Sequence, residues 1–255
     1  NAETFIKKTA VEAGKLVWKR FGKDKVSYMK SGAAWNSVTK ADLMAERMIV
    51  KNIRKHFPSH GIIAEESGVK KTNTEYVWTI DPIDGTTNFS LGIPFFGVML
   101  ALMHKKQVIL SAIYLPATEE LFFAKKGKGA FLNGKKIRCS KTKTLGRSHG
   151  ITTPFLSPKD VRFLKKIFNI LKSDRFFLHA FGSKVGFCYV ACGRADWKVS
   201  VAGALHDFTA PYLLLKEAGC TITTLKGKPW TLNDREMLAA NPHLHKELVK
   251  LTKKI

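Results

Sequence analysis

The stretch from Phe95 to Ile137 leaves a chain few ways to fold. It carries FFGVMLALM, VILSAIYL and ELFFAKK in close succession, followed by GAFLNGKKI. Short apolar runs rich in Val, Ile, Phe and Tyr, bounded by polar or Gly/Asn residues, read as strands. The Asn133-Gly134 pair supplies a hairpin signal. Together these runs predict an antiparallel meander at the centre of the chain.

Helical patterns flank it. Ile6, Ala10, Ala13, Val17 and Phe21 recur at helical spacing, so an amphipathic helix opens the chain. A polar, glycine-containing link over 22–36 follows. Thr39-Lys40-Ala41-Asp42 then reads as a variant capping box for a second helix to about Phe57, with Ala45, Met48, Ile49 and Ile53 inward. GIIAEES and EYVWTI are short strands preceding the meander.

Beyond the meander the composition turns polar over Lys141 to Ser148, an expected boundary between residues 1–140 and 141–255. The second part alternates types. Helices are expected at about Pro158–Leu171, Lys184–Cys192, Phe208–Ala218 (stopped by Gly219) and from Pro242. Strands are expected at about Phe176–Ala180, DWKVS, TITTL and MLAA. The chain is thus expected to be mixed α/β, with helix layers between sheets.

Composition narrows the function classes. With 255 residues and 45% hydrophobic content the chain can bury a large core. Its net charge is +23, from 43 Lys+Arg against 20 Asp+Glu, which invites nucleic-acid, anionic-membrane or phosphorylated partners. The basic residues are scattered as short pieces such as Lys7-Lys8 and Lys125-Lys126, with no long basic arm, so a lysine-rich surface is the plainer reading. Four irregularly spaced cysteines (Cys139, Cys188, Cys192, Cys220) do not form a disulfide scaffold or a zinc motif. No apolar stretch is long enough to span a bilayer and no signal-peptide core is present, so a cytoplasmic protein is expected. Absence of a G-x-S-x-G elbow and of a Walker-type loop weighs against serine hydrolases and P-loop NTPases.

Three acidic groups stand out. Glu65-Glu66 ends an apolar strand, where a solvated turn is the plain alternative. In WTIDPIDGTTNF, Pro82 pre-bends the backbone between Asp81 and Asp84. Such a bend can turn both carboxylates and the Ile83 carbonyl toward one point, a donor set suited to a hard divalent cation. Gly85 permits close backbone approach, and Thr86-Thr87 open a helical turn whose free N–H groups suit a phosphate. A turn with an Asp cap fits the same letters. Asp207 in HDFTAPYLLLKEAG reads first as a helix N-cap, and Asp42 as the closing member of its capping box. Pro58 separates His56 from His60, so that pair is not a metal motif; His206, beside Asp207, is the histidine of interest.

These pieces occur in an order that resembles the inositol monophosphatase family. The resemblance rests on NSVTKADLMAE, GIIAEES, WTIDPIDGTTNFSLGIPFFG, KGKGAFLNGKKIRCS, GSKVGFCYVACGRAD, HDFTAPYLLLKEAGC and KGKPW, spanning roughly Phe5 to Leu251. It implies an α/β (α+β) fold, a layered αβαβα sandwich of the inositol monophosphatase and fructose-1,6-bisphosphatase type. It also implies that Glu65, Asp81, the Ile83 carbonyl, Asp84 and Asp207 gather two to three Mg²⁺ ions. Gly85 and Thr86 would present amides to the phosphate, and Thr86, oriented by Asp42 and assisted by Glu65, would position and help deprotonate the attacking water. A lithium-sensitive homodimer acting on a small phosphorylated metabolite is the further implication.

The substrate side departs from that pattern. Ser200 stands where a Glu often grips the inositol hydroxyls, His206 where a Trp is common, and Lys184 where a small residue is usual. Thr209-Ala210-Pro211 and Cys220 are further departures. Inositol monophosphate is still the expected substrate. Lys184 leaves room for a second anionic group, as in fructose 1,6-bisphosphate or 3′-phosphoadenosine 5′-phosphate; histidinol phosphate is a further alternative. A basic nucleic-acid- or transcription-associated protein is the reading from a different class, and it is not favoured.

Overall fold

The computed structural model describes residues 1–29, 37–70, 73–152, 157–170 and 176–253. Residues 30–36 of the expected link and Leu171, the expected end of a helix, lie outside the described residues. The first part runs α1 (Ala2–Arg20), β1 (Val26–Met29), β2 (Ser37–Thr39), α2 (Lys40–His56), β3 (Gly61–Ala64), β4 (Gly68–Lys70), β5 (Tyr76–Asp84) and α3 (Thr86–Ser90). The meander follows as β6 (Gly97–His104), β7 (Gln107–Leu115), β8 (Glu120–Lys125), β9 (Gly129–Leu132) and β10 (Lys135–Ile137). The remainder is β11 (His149–Thr152), α4 (Pro158–Ile170), β12 (Phe177–Ala180), α5 (Gly186–Ala191), β13 (Trp197–Ser200), α6 (Leu205–Glu217), β14 (Thr221–Thr223), β15 (Met237–Ala240) and α7 (Pro242–Thr252).

The large sheet has the order β10-β9-β8-β7-β6-β5-β3-β4 and the second sheet β12-β11-β13-β15-β14. From β5 to β10 the pairing is antiparallel, as the short links require. Before the meander one pair departs from this pattern: β3 runs parallel to β5. Chain order explains it, since β4 and the loop after it carry the chain back before β5 begins. The second sheet is mixed, with β11 parallel to both β12 and β13.

β1 and β2 form a separate two-stranded sheet, while the two larger sheets are covered on both faces, which is why their strand sequences read as continuous apolar runs. In β6, Val98, Leu100 and Leu102 join the core beneath α1 and α2. Met99, Ala101 and Met103 point the other way, into the core shared with α5 and α6. That second core reaches Ile151, Met237 and Ala239 of the second sheet. Its far face, with Trp197, Val199, Leu238 and Ala240, packs against Phe163 and Ile167 of α4 and Leu244 and Leu248 of α7. The stack is therefore α1α2, sheet, α5α6, sheet, α4α7: an αβαβα sandwich. Close packing fixes some small residues; a Cβ on Gly14 of α1 would lie 2.2 Å from the Tyr114 ring. Among the described residues no helix is long and apolar enough to cross a membrane.

Candidate active site

Glu65 and Asp81 meet because β3 and β5 run in the same direction and end at the same edge. Ala64 is paired with Ile80, and the Glu65 N–H donates to the Ile80 carbonyl at 3.1 Å. Asp81 and Asp84 need a further device, since residues three apart on a regular strand face opposite sides. Asp81 opposes Met99 and Asp84 opposes Gly97, so β5 carries one extra residue there. This bulge, which holds Pro82 and its missing N–H, restores both carboxylates to one side. The motif is thus a bulged continuation of the strand, where the sequence suggested a turn beyond the strand's end.

Asp207 arrives from α6. The helix begins at Leu205, so Asp207 is its third residue, and its carboxylate accepts the Ala204 N–H at 2.7 Å. The sequence reading put a cap at Asp207; the helix starts earlier because the side chain can reach back to Ala204 from inside the first turn. Pro211 consequently lies inside the helix and leaves the Asp207 carbonyl without its usual i+4 donor. Carboxylate oxygens of Asp81, Asp84 and Asp207 all lie within 4.8 Å of one another.

Gathering these acids is electrostatically costly. Asp81 is 1% exposed. Its carboxyl is held well above the usual range, first by burial, then by the charges of Glu65, Asp84 and Asp207, and by a hydrogen bond with Glu65. One Asp81 oxygen, Oδ1, is buried with no hydrogen-bond partner among the described residues. Asp84 is raised by burial, against which its hydrogen bond from Ser183 and the Lys184 N–H act. Repelling carboxylates around an unsatisfied oxygen are a donor set that fits a hard divalent cation. A cation would remove both penalties together.

Asp84 is held from across the molecule. Its Oδ1 accepts the Lys184 N–H at 2.9 Å; its Oδ2 accepts the Val185 N–H at 2.7 Å and the Ser183 hydroxyl. Ser183 was not singled out by the sequence, although GSK directly precedes α5. Gly85 adopts φ +93°, and a Cβ there would sit 3.0 Å from Ser183 Cβ and 3.1 Å from the Phe95 carbonyl oxygen. Only glycine fits.

On the other flank, Asp42 caps α2 as expected. Its Oδ2 accepts the Thr39 N–H at 2.8 Å and the Thr39 hydroxyl at 2.5 Å. Its Oδ1 faces the Thr86 hydroxyl at 3.0 Å, and that hydroxyl also lies 2.8 Å from the Ile83 carbonyl. The capping role and the site role, alternatives in the sequence, are filled by different oxygens of one carboxylate. Burial pushes Asp42 up to about 6, opposed by its Thr39 and Thr86 hydrogen bonds and aided by the charge of Glu65. One turn further along α2, buried Glu46 accepts the N–H groups of Glu66 at 2.7 Å and Ser67 at 2.8 Å, which fixes the loop bearing Glu65. Its signal was its i+4 spacing from Asp42, on one helical face.

The three substrate-side candidates divide. Lys184 is buried; its ammonium donates to the Ala202 carbonyl at 2.9 Å and lies 5.7 Å from the centre of the Phe208 ring. Ser200 donates to the same carbonyl at 3.0 Å. His206 Nε2 stands 3.6 Å from Asp207 Oδ1, and its side chain is 15% exposed.

Comparison with known proteins agrees with this architecture. The solved structure of the Thermotoga maritima IMPase superposes with a TM-score of 0.89 at 33% identity, covering 98% of this chain and 96% of that one. The fold and its acidic cluster define a phosphatase of the layered sandwich class, a phosphoric monoester hydrolase. The particular assignment follows from the sequence as a whole: residues 2–255 match the model of the inositol monophosphatase family, and the chain belongs to that family. It is 32% identical over 249 residues to the fructose-1,6-bisphosphatase/inositol-1-monophosphatase of Aquifex aeolicus, covering 96% of this chain and 92% of the relative. It is 33% identical over 249 residues to the Nus factor SuhB of Escherichia coli (strain K12), covering 95% and 92%.

Proposed function

We propose that the protein is a Mg²⁺-dependent phosphomonoesterase of small sugar or polyol phosphates, with inositol monophosphate as its best substrate. The observation that carries the reading is the buried Asp81 oxygen without a partner, set among Asp84, Asp207 and Glu65. Glu65, Asp81, the Ile83 carbonyl, Asp84 and Asp207 hold two to three ions. When bound, the ions supply positive charge to the phosphate and the leaving alkoxide and acidify the attacking water. The amides of Gly85 and Thr86 receive phosphate oxygens. Thr86 positions the water, with its hydroxyl oriented by Asp42, and Glu65 accepts the proton. A monoester dianion repels a nucleophile, so most of the barrier reduction is charge stabilisation.

Lys184 and Ser200, both anchored on Ala202, shape the substrate side together with His206. Fructose 1,6-bisphosphate is the second substrate reading, supported by the 32% identical relative named fructose-1,6-bisphosphatase/inositol-1-monophosphatase; the Lys184 ammonium, bonded to Ala202, does not carry it. Residues 1–140 and 141–255 act as one catalytic unit, a reading supported by the bonds from Asp84 to residues 183–185. A homodimer is supported by the edge position of β12 and by Phe177, which is 66% exposed. Four free cysteines support a cytoplasmic setting.

The test is phosphate release, with and without Mg²⁺, from inositol 1-phosphate, fructose 1,6-bisphosphate, 3′-phosphoadenosine 5′-phosphate and histidinol phosphate, with lithium as inhibitor. Absence of Mg²⁺-dependent turnover on all four by folded protein overturns the proposal. The +23 charge and the relative named Nus factor SuhB support a second reading, a role beside nucleic acid. Binding that falls steeply with salt and persists in EDTA would distinguish it.

A further inference from the structure

Two of the cysteines meet well away from the acidic cluster. Cys139 follows β10, and its N–H donates to the Ala218 carbonyl at 3.1 Å. Cys220 lies two residues beyond Ala218, where Gly219 (φ +85°) turns the chain from the end of α6 toward β14. The backbone bond brings the two cysteines together, and the Cys220 thiol donates a hydrogen bond to the Cys139 sulfur. Cys220 Sγ also stands 4.0 Å from the Val190 carbonyl oxygen. The segment bearing Cys139 is confined on another side, since a Cβ on Gly193 would lie 3.3 Å from the Arg138 carbonyl oxygen and 3.4 Å from the Ser140 nitrogen.

The pair is asymmetric. Cys139 and Cys220 are each half-buried, and the adjoining Arg138 and Gly219 are exposed, which leaves the pair at the surface. The hydrogen bond from Cys220 lowers the Cys139 pKa; burial opposes it, and the Cys139 N–H and the charge of Arg138 add to it, so the thiol is pulled down to about 7. The same hydrogen bond, with burial second, drives Cys220 upward. Burial also raises Cys192 and, more strongly, Cys188, which is completely buried. The thiolate is the reactive form of cysteine. One of the four is therefore poised to react, with a second thiol already touching it.

We propose that Cys139 and Cys220 form a peroxide-reactive modification site, a dithiol that closes reversibly into a disulfide. The Cys139 thiolate attacks one oxygen of hydrogen peroxide; the O–O bond breaks, hydroxide leaves and is protonated to water, and Cys139 becomes a sulfenic acid. The Cys220 sulfur then displaces the sulfenic hydroxyl. The S–O bond breaks, the S–S bond forms, and the hydroxyl departs as water with the thiol proton. Two electrons pass in all from the dithiol to the peroxide. Small thiols reverse the bond by exchange, so in a reducing compartment it is transient. While it lasts it ties the end of β10, in the large sheet, to the tail of α6, the helix whose first turn holds Asp207.

The test is mass spectrometry of the folded full chain at pH 7 after treatment with a small molar excess of hydrogen peroxide. The expected product has lost two hydrogens, carries Cys139 and Cys220 in one cross-linked peptide, and reverts with dithiothreitol. It should melt several degrees above the reduced protein, because the bond closes a long loop. Without peroxide, iodoacetamide should modify Cys139 at least about tenfold faster than Cys192. Cys220→Ser keeps a hydroxyl donor beside Cys139 and should stop the reaction at the sulfenic acid, trapped on Cys139 as a dimedone adduct. Cys139→Ser should leave Cys220 reduced. Four free thiols after treatment, a disulfide joining Cys220 to Cys192, or a disulfide between two chains overturns the proposal. Melting temperatures of the reduced variants within a few degrees of the parent exclude unfolding as the cause.

Discussion

The carboxylate of Asp84 and the backbone N–H of Val185 are 2.7 Å apart although five strands of the large sheet and two of the second lie between them in the chain. The lysine amide beside Val185 and the Ser183 hydroxyl complete the set on the same carboxylate. Asp84 is therefore structural as well as a member of the acidic cluster. Asp84→Asn replaces one acceptor oxygen with an N–H₂ group facing backbone donors. It is expected to lower stability by about 2–4 kcal/mol, as for a broken buried network around a charged acceptor, and to abolish turnover. Denaturant melts of the metal-free variant measure the first part, and Ser183→Ala should fall between variant and parent.

Asp81→Asn is expected to do the opposite to stability. Asp81 is raised by burial and by three neighbouring carboxylates, so neutralising it relieves repulsion in the metal-free protein. The metal-free variant should melt above the parent while Mg²⁺ no longer raises its melting temperature and turnover is lost. A lower metal-free melting temperature would contradict this account of the cluster.

The same groups set a pH dependence. Folded Asp42 titrates at about 6, and Asp81 is also raised, whereas an unfolded Asp titrates near about 3.9. Their contribution to the metal-free protein is complete below the unfolded value and is lost as pH rises through the folded ones. Half-buried His60 and buried His245, whose pKa values are lowered by desolvation, act in the opposite sense as the pH falls. The clean measurement is the melting-temperature gain on adding Mg²⁺, in which the two histidines cancel. That gain should grow from pH 5 to pH 7.5, because a cation must displace the protons.

Thr86→Ala removes the hydroxyl that lies between Asp42 and the Ile83 carbonyl. Turnover should fall by roughly 10²–10³, the scale of a positioned proton-transfer group. Mg²⁺ affinity measured calorimetrically should change far less. Thr86→Ser should recover most of the rate, which a merely structural role for the methyl group would not allow.

Glu46→Gln tests support for Glu65 without touching a proposed ligand. The Glu66 and Ser67 N–H groups would face one amide oxygen where two carboxylate oxygens stood. Mg²⁺ affinity is expected to drop about 10–100-fold, the usual effect of losing a partner that orients a ligand. An unchanged affinity would show that the loop holds its place without Glu46.

Local pattern carried much of this architecture in the sequence. The helical spacing of Ile6 to Val17, the capping box at Thr39 and the meander from Gly97 to Ile137 all depend on neighbours within a few residues. What escaped depends on distant partners. The parallel pairing of β3 with β5 comes from how the chain returns, and the bulge between Asp81 and Asp84 shows only against Met99 and Gly97. Asp207 looked like a cap because its reach back to Ala204 needs the full first turn. Lys184 read as a charge offered to substrate, yet its ammonium is folded onto Ala202. Lys198, read merely as part of a strand, is fully buried, where desolvation first and the charge of Lys184 second drive its pKa down. No local rule places a lysine there.

The acidic cluster draws on residues 81, 84 and 207, and the last of these sits at the head of α6. A ribosome releases the chain from its first residue onward, so the large sheet can form with Asp81 and Asp84 in place while Asp207 is still unmade. Under the proposed assignment such an intermediate cannot turn over substrate, however well its first sheet is built. Catalytic onset therefore dates the docking of α6, and a truncation before residue 207 removes at once a member of the cluster and the helix that covers one apolar face of the large sheet.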